Sequence, residues 1–211
     1  MPFYVFPNAL TKAECDLYIS WCLINTSFDD ASTLKSGETD NTLNPEETIQ
    51  GEKNKKDEKN YKIRKTDVSF LTEEKNPINE RIWDFIREAN AKFFKYELDY
   101  FQAIQFARYQ EGGHYDWHQD SAGFDGEEKS KDCRKLSLTC SLSDHDTYEG
   151  GFLEFYNGEK PFEHEFHNVS RDVKTQGSVI VFDSRDWHRV TPVTKGVRYS
   201  LVCWTVGPRF I

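Results

Sequence analysis

Apolar residues along this chain recur with two different periods, and the change from one to the other falls near Leu98. Before it, Cys15, Tyr18, Ile19 and Cys22 return at three- and four-residue spacing, the mark of a helix with one buried face. Thr11, with Glu14 three positions on, forms the reciprocal capping pattern, so a helix is predicted over about 12–23, behind a short apolar strand at 3–7. Ile78, Ile82, Phe85, Ile86 and Ala89 predict a second helix over about 77–95, whose stripe would cover one face of a sheet. Between the helices, about 27–60 loses all periodicity. It is rich in Asp, Glu, Lys, Asn, Gly and Thr and cannot bury enough apolar area to offset its ordering entropy. A charged surface loop is expected there, followed by a strand at 63–72.

After Leu98 the chain reads as short strands and turns. Strands are predicted near 101–109, 114–120, 135–142, 151–156, 178–183, 188–193 and 197–206, separated by Glu111-Gly112-Gly113, Glu149-Gly150-Gly151 and Lys195-Gly196. Such a run of strands behind two helices predicts a mainly β fold with flanking helices: a double-stranded β-helix, or cupin-like jelly roll, buttressed by the N-terminal helices. A chain of 211 residues suits one domain, with 1–98 as helical support and 99–211 as the jelly-roll core.

Composition narrows the function classes. The formal charge of −9 argues against a phosphate-binding footprint, so no nucleic-acid partner is expected. No apolar run approaches the roughly 18 residues of a membrane span, and the start of the chain lacks a signal peptide's basic and apolar regions. A cytoplasmic protein without a membrane partner is the expectation. Five cysteines, odd in number and without CxxC spacing, are read as reduced, mostly buried thiols.

The candidate chemistry lies at His118-Gln119-Asp120. On a strand, alternate side chains share a face, so the imidazole and the carboxylate would stand side by side. A third ligand would complete the 2-His-1-carboxylate arrangement of non-haem Fe(II) oxygenases. His188, beside Trp187 at the start of a predicted strand, is placed to face the interior. If Thr194-Lys195-Gly196 closes a tight hairpin, Arg198 lies across from about Pro192, on the order of 13 Å along the strand from His188. That gap suits a five-carbon diacid with an arginine at its far carboxylate. Arginine binds a carboxylate with a planar fork that keeps its charge, and Ser200 shares its face. His145, Asp146, His164 and His167 sit in charged, turn-like sequence and are read as solvated groups rather than a second metal site.

The stretches RYQEGGHYDWHQD at 108–120, RKLSLTCSLSDHDTYEGGFLEF at 134–155 and GSVIVFDSRDWHRVTPVTKGVRYSLVCW at 177–204 resemble the Fe(II)- and 2-oxoglutarate-dependent dioxygenases, in their prolyl 4-hydroxylase-like branch. The resemblance covers about 100–207. It implies that His118, Asp120 and His188 are the iron ligands and that Arg198 and Ser200 anchor the C5 carboxylate of 2-oxoglutarate. It further implies that Tyr109 hydrogen-bonds this cosubstrate and that Tyr115 lines the substrate pocket near the iron. Collagen-type prolyl hydroxylases commonly carry lysine where Arg198 stands, so the chain looks closer to the bacterial, viral and oxygen-sensing relatives that use arginine. The implied cofactors are Fe(II), 2-oxoglutarate and O₂, with ascorbate a further candidate. The implied reaction is hydroxylation of an unactivated C–H, first a prolyl residue of a peptide or protein. The alternatives are a free amino acid or other small molecule as substrate, or a non-catalytic metal-binding cupin module.

Overall fold

The computed structural model describes residues 3–31, 63–71, 76–121, 132–156, 166–168 and 175–210. Helix α1 (Lys12–Asn25) begins as its cap dictates: Glu14 N–H donates to Thr11 Oγ1 at 3.2 Å, and the Glu14 carboxylate accepts from Thr11 N–H at 2.7 Å. Helix α2 (Asn79–Ala89) starts where the Asn76 side chain accepts from Ile78 and Asn79 N–H. The predicted helix over 77–95 does not stay α throughout. At Asn90 it passes into a π-helical turn, Asn90–Phe94, because the Asn90 amide binds both the N–H and the carbonyl of Tyr96 and closes the helix end. No helix among the described residues is long and apolar enough to cross a membrane.

The strands are β1 (Phe3–Phe6), β2 (Asp29–Asp30), β3 (Arg64–Lys65), β4 (Asp67–Leu71), β5 (Tyr100–Phe101), β6 (Ile104–Tyr109), β7 (His114–His118), β8 (Asp132–Ser141), β9 (Glu149–Gly150), β10 (Leu153–Tyr156), β11 (Phe166–Asn168), β12 (Val179–Asp183), β13 (His188–Val190), β14 (Val193–Lys195) and β15 (Arg198–Pro208). Among the described residues a large sheet runs β1-β12-β8-β15-β6-β4-β2, with β5 also paired to β15, and a second sheet runs β11-β10-β13-β7-β3. All these pairings are antiparallel. This is the predicted mainly β architecture, a double-stranded β-helix with helices on one side.

Side-chain alternation divides the large sheet into two working faces. Leu136, Leu138 and Cys140 of β8, Val179 and Val181 of β12, Ile104 and Phe106 of β6, and Leu201 and Cys203 of β15 pack in one core with Cys15, Tyr18 and Cys22 of α1 and Ile82, Phe85, Ile86 and Ala89 of α2. The residues between them, Ser137, Thr139, Ile180, Phe182, Ala107, Tyr109, Arg198 and Ser200, form the opposite face. All five cysteines are free and buried, as expected.

Three expectations are corrected. Within 27–31 only Asp29–Asp30 depart from the loop expectation, pairing with β4, where the Phe28 ring packs tilted against Phe106 at 5.4 Å with the Arg108 guanidinium 4.0 Å from its centroid. Residues 32–60 lie outside the described residues. The strand at 63–72 is broken at Thr66 into β3 and β4, which join different sheets; the Thr66 hydroxyl donates to the His114 carbonyl and its own carbonyl accepts from Ala31 N–H. Third, Thr194-Lys195-Gly196 closes no hairpin between β14 and β15. β14 pairs with β9, while Arg198 stands opposite Tyr109 of β6. Gly196 takes φ 78° and its Cα lies so close to the Thr147 carbonyl that a Cβ would come within 2.5 Å of it. The turn is therefore pressed onto residues 147–148 and hands the chain from one sheet to the other.

Leu138, wholly buried between sheet and helices, tests this core. Leu138→Ala should lower unfolding free energy by about 2–5 kcal/mol in urea titration. Leu17→Ala, at a position 57% exposed on the outer face of α1, should change it by about 0.5 kcal/mol or less.

Candidate active site

His118 is the last residue of β7 and His188 the first of β13, and the antiparallel register sets them opposite each other. Asp120 completes the group. One ligand atom from each of His118, Asp120 and His188 lies within 4.8 Å of the others. His118 Nε2 stands 3.6 Å from Asp120 Oδ1, and His188 Nε2 stands 3.5 Å from Asp120 Oδ2. The carboxylate is not delivered by the strand pleat, as the His-x-Asp spacing suggests. β7 ends at His118, and the chain then turns to bind the β12–β13 connection: the Gln119 amide donates to the Arg185 carbonyl and Ser121 N–H donates to the Ser184 carbonyl.

Both imidazoles are oriented for coordination. His118 Nδ1 lies 2.7 Å from the Asp116 carbonyl and His188 Nδ1 2.9 Å from the Asp186 carbonyl. A carbonyl can only accept, so each Nδ1 carries the proton and each Nε2 presents its lone pair. Burial, and then His118 beside it, pushes the His188 pKa down to about 4, so its ring is neutral near pH 7. Burial of Asp120 opposes ionisation, but the polar and charged groups around it, Arg134 among them, outweigh it and hold the carboxyl well below its ordinary range. Two imidazoles presenting Nε2 and one carboxylate, all largely shielded from water, fit a divalent transition metal such as Fe(II).

The surrounding shell adds residues that the motif alone did not reveal. Ser137 Oγ donates to Asp120 Oδ2 at 2.7 Å and lies 2.9 Å from Ser184 Oγ. Arg134 donates to the Asp120 carbonyl at 3.2 Å. The signal was present in the alternation of 136–141, Leu-Ser-Leu-Thr-Cys-Ser, which sends every hydroxyl to one face.

Arg198 and Ser200 lie on that same face. Ser200 pairs with Ser141 of β8 and Ala107 of β6, and Arg198 donates back to Ser200 Oγ at 3.2 Å. Along β8, Ser137 at the Asp120 end and Ser141 at the Ser200 end are four residues apart, on the order of 13 Å. The returning guanidinium shortens that gap. Arg198 is 4% exposed, and among the described residues it pairs with no carboxylate. A buried cation without a counter-ion is expensive, so the donor set fits the distal carboxylate of a diacid such as 2-oxoglutarate. Gly151, at φ 59°, lets this happen: a Cβ there would come within 3.0 Å of Arg198 Cδ.

Of the two tyrosines, Tyr109 is buried with its ring centroid 5.1 Å from the Arg198 guanidinium, in a small core with Val190 and Val193. Tyr115 stacks on the His118 ring at 3.5 Å, with the Arg64 guanidinium 4.4 Å from its centroid, and burial raises its pKa. His145 sits between Asp144 and Asp146 and joins no metal-type cluster among the described residues. His164 and the side chain of His167 lie outside them.

With this geometry in hand, residues 104–206 match the family model described as the 2OG-Fe(II) oxygenase superfamily. A PKHD-type hydroxylase of Synechococcus sp. (strain CC9605) is 38% identical over 102 residues, which are 48% of this chain and 40% of the relative. The match thus spans about two fifths of the length of that relative. A Pseudomonas putida prolyl-4-hydroxylase superposes with a TM-score of 0.62 at 19% identity, covering 99% of this chain and 93% of the other. A prolyl hydroxylase in complex with a hypoxia inducible factor oxygen degradation domain peptide fragment, from Trichoplax adhaerens, superposes with a TM-score of 0.60 at 17% identity over 96% and 82%. At these identities the structural neighbours establish the shared fold.

Loss of a ligand should exceed the 10–100-fold cost of losing an outer partner. His188→Ala should therefore weaken Mn(II) binding at least roughly a hundredfold in calorimetric titration, whereas His145→Ala should leave it unchanged.

Proposed function

Residues 104–206 belong to the 2OG-Fe(II) oxygenase superfamily, and from that premise we propose that this protein is a 2-oxoglutarate-dependent hydroxylase acting on a prolyl residue of a peptide or protein. The observation that carries the reading is the pairing of two features: a His118, Asp120, His188 cluster, and a buried Arg198 held toward Ser200 without an acid among the described residues. A module that only holds a metal has no use for such an anchor. Prolyl specificity is supported by the neighbours: a prolyl-4-hydroxylase shares the fold over nearly the whole chain, and another neighbour holds a peptide.

Fe(II), bound with 2-oxoglutarate and O₂, supplies the oxidising chemistry: decarboxylation to succinate and CO₂, with one oxygen atom placed on the substrate carbon. The chain's part is to bind, orient and exclude water. His118, Asp120 and His188 would hold the metal, with the Nδ1–H bonds to Asp116 and Asp186 fixing the rings. Arg198 and Ser200 would grip the distal carboxylate, their burial strengthening a charge-assisted pair. Tyr109, beside Arg198, would donate its hydroxyl to the same cosubstrate. Tyr115 would form the wall between the His118 ring and the entering substrate, and Arg64 stiffens it by stacking. No side-chain nucleophile or general base is needed.

The test is succinate release from 2-oxoglutarate with Fe(II) and a proline-containing peptide, read together with mass spectrometry of the peptide. A gain of one oxygen on proline, lost with His118→Ala, is expected. Turnover with free amino acids but with no peptide would overturn the prolyl reading. Arg198→Ala should raise the KM for 2-oxoglutarate by roughly a hundredfold, corresponding to the ~2–5 kcal/mol cost of removing one partner of a buried charged pair, while Mn(II) affinity stays unchanged.

A further inference from the structure

A carboxylate can bind a metal through one oxygen or through both, and the difference decides how many positions stay open. We infer that the hydroxyl pair Ser184 and Ser137 holds Asp120 as a one-oxygen ligand, which makes Ser137 a positioning residue of this site. The inference rests on reading His118, Asp120 and His188 as the metal ligands and Arg198 as the keto-acid anchor.

The hydrogen-bond chain has a forced direction. A carboxylate that ligates a metal can only accept, so the contact of 2.7 Å from Ser137 Oγ to Asp120 Oδ2 uses the single proton of Ser137. Ser137 Oγ must then accept across its 2.9 Å contact with Ser184 Oγ, whose proton points toward Asp120 in turn. Both serines are wholly buried, so no solvent competes for these protons. Ser184 is fixed by its backbone: its N–H donates to the Lys135 carbonyl at 3.1 Å, and its carbonyl accepts from Ser121 N–H at 3.0 Å. The second bond ties it directly to the residue after Asp120. Each oxygen faces one imidazole, Oδ1 with His118 Nε2 at 3.6 Å and Oδ2 with His188 Nε2 at 3.5 Å; the short, charge-assisted bond from Ser137 engages Oδ2 and distinguishes the two, leaving Oδ1 to the metal.

The consequence is stoichiometric. Two histidines and a one-oxygen carboxylate would leave a six-coordinate ion three open positions. A chelating keto acid would take two, with one left for a further small ligand. Were Asp120 to bind through both oxygens, the keto acid would fill the site. Ser137 thus keeps the last position available without touching substrate or metal.

Mn(II) is the probe, read by calorimetry and by water-proton relaxation, which reports exchangeable water on the ion. Wild type with Mn(II) and 2-oxoglutarate should retain an exchangeable water. Ser137→Ala should bind Mn(II) about tenfold more weakly and lose that water when 2-oxoglutarate is added. Ser137→Thr, which restores the hydroxyl, should recover both. Ser184→Ala leaves Ser137 in place and should shift both readouts in the same direction by less; it carries the test if Ser137→Ala does not fold. A folded Ser137→Ala with Mn(II) affinity within about twofold of wild type and its water retained would overturn the inference, as would an unchanged Ser184→Ala in the absence of a folded Ser137→Ala. Failure of wild type to bind Mn(II) would instead overturn the metal-site reading beneath it.

Discussion

A carboxylate that is kept ionised while 8% exposed is the constraint on which this structure depends. Stripping water from Asp120 opposes its charge, and the protein must offset that loss locally. It does so from β8: Ser137 donates to Oδ2, and Arg134 binds its backbone carbonyl while adding positive potential. His188 and His118 turn Nε2 toward its two oxygens at 3.5 and 3.6 Å. Those groups come from β7, β8 and β13, so the site forms only where two sheets meet. An ion in the centre would face both Nε2 lone pairs and the carboxylate at once, which is why the cluster reads as a metal centre and not as an incidental ion pair.

The support for that centre continues outward. Asp183 accepts from the Tyr96 hydroxyl at 2.6 Å and from Arg185 through both oxygens, and these bonds hold its carboxyl below the ordinary range against burial. The same turn carries Ser184, the Arg185 carbonyl that receives Gln119, and His188 two residues beyond Asp186. Phe182 packs edge-on to the His188 ring at 4.8 Å. A short connection between β12 and β13 therefore sets a candidate ligand, its orienting carbonyl and the hydroxyl that meets Ser137 together.

What could be read from the sequence follows the range of the forces involved. The α1 cap and the stripes of both helices depend on neighbours three or four residues away, and they appear where the spacing puts them. Most strand positions were visible through alternation. His118, Asp120, His188 and Arg198 were visible because their types and order are chemically demanding. Partner choice was not visible: Lys195-Gly196 looks like a hairpin, yet Arg198 pairs with Tyr109 of β6 because Gly196 is pressed onto residues 147–148 instead. Phe28 shows the same limit. Its surroundings are polar, and only Phe106 and Arg108, distant in sequence, draw it and the following pair of aspartates onto the sheet edge. Ser137 lay in plain sight, but its role needed Asp120 to leave the strand and reach it.

The aim of Arg198 is set by residues that never meet the site. A strand slipped by one position turns every side chain to the other face, so a slip in β15 would bury Tyr199 and Leu201 in the slot and send Arg198 and Ser200 toward the helices. Pairing on both sides of β15 does not by itself forbid this, since backbone ladders are nearly indifferent to register. The side chains of the opposite face forbid it: Tyr199 stacks on Phe106 at 5.5 Å with planes 4° apart, and Leu201 and Cys203 are wholly buried beside Cys140 and Leu138. Those positions are packed by α1 and α2. The N-terminal helices, which contribute no ligand, thus hold the buried guanidinium at the correct end of the slot, and the jelly roll's chemistry on one face is enforced by hydrophobic packing on the other.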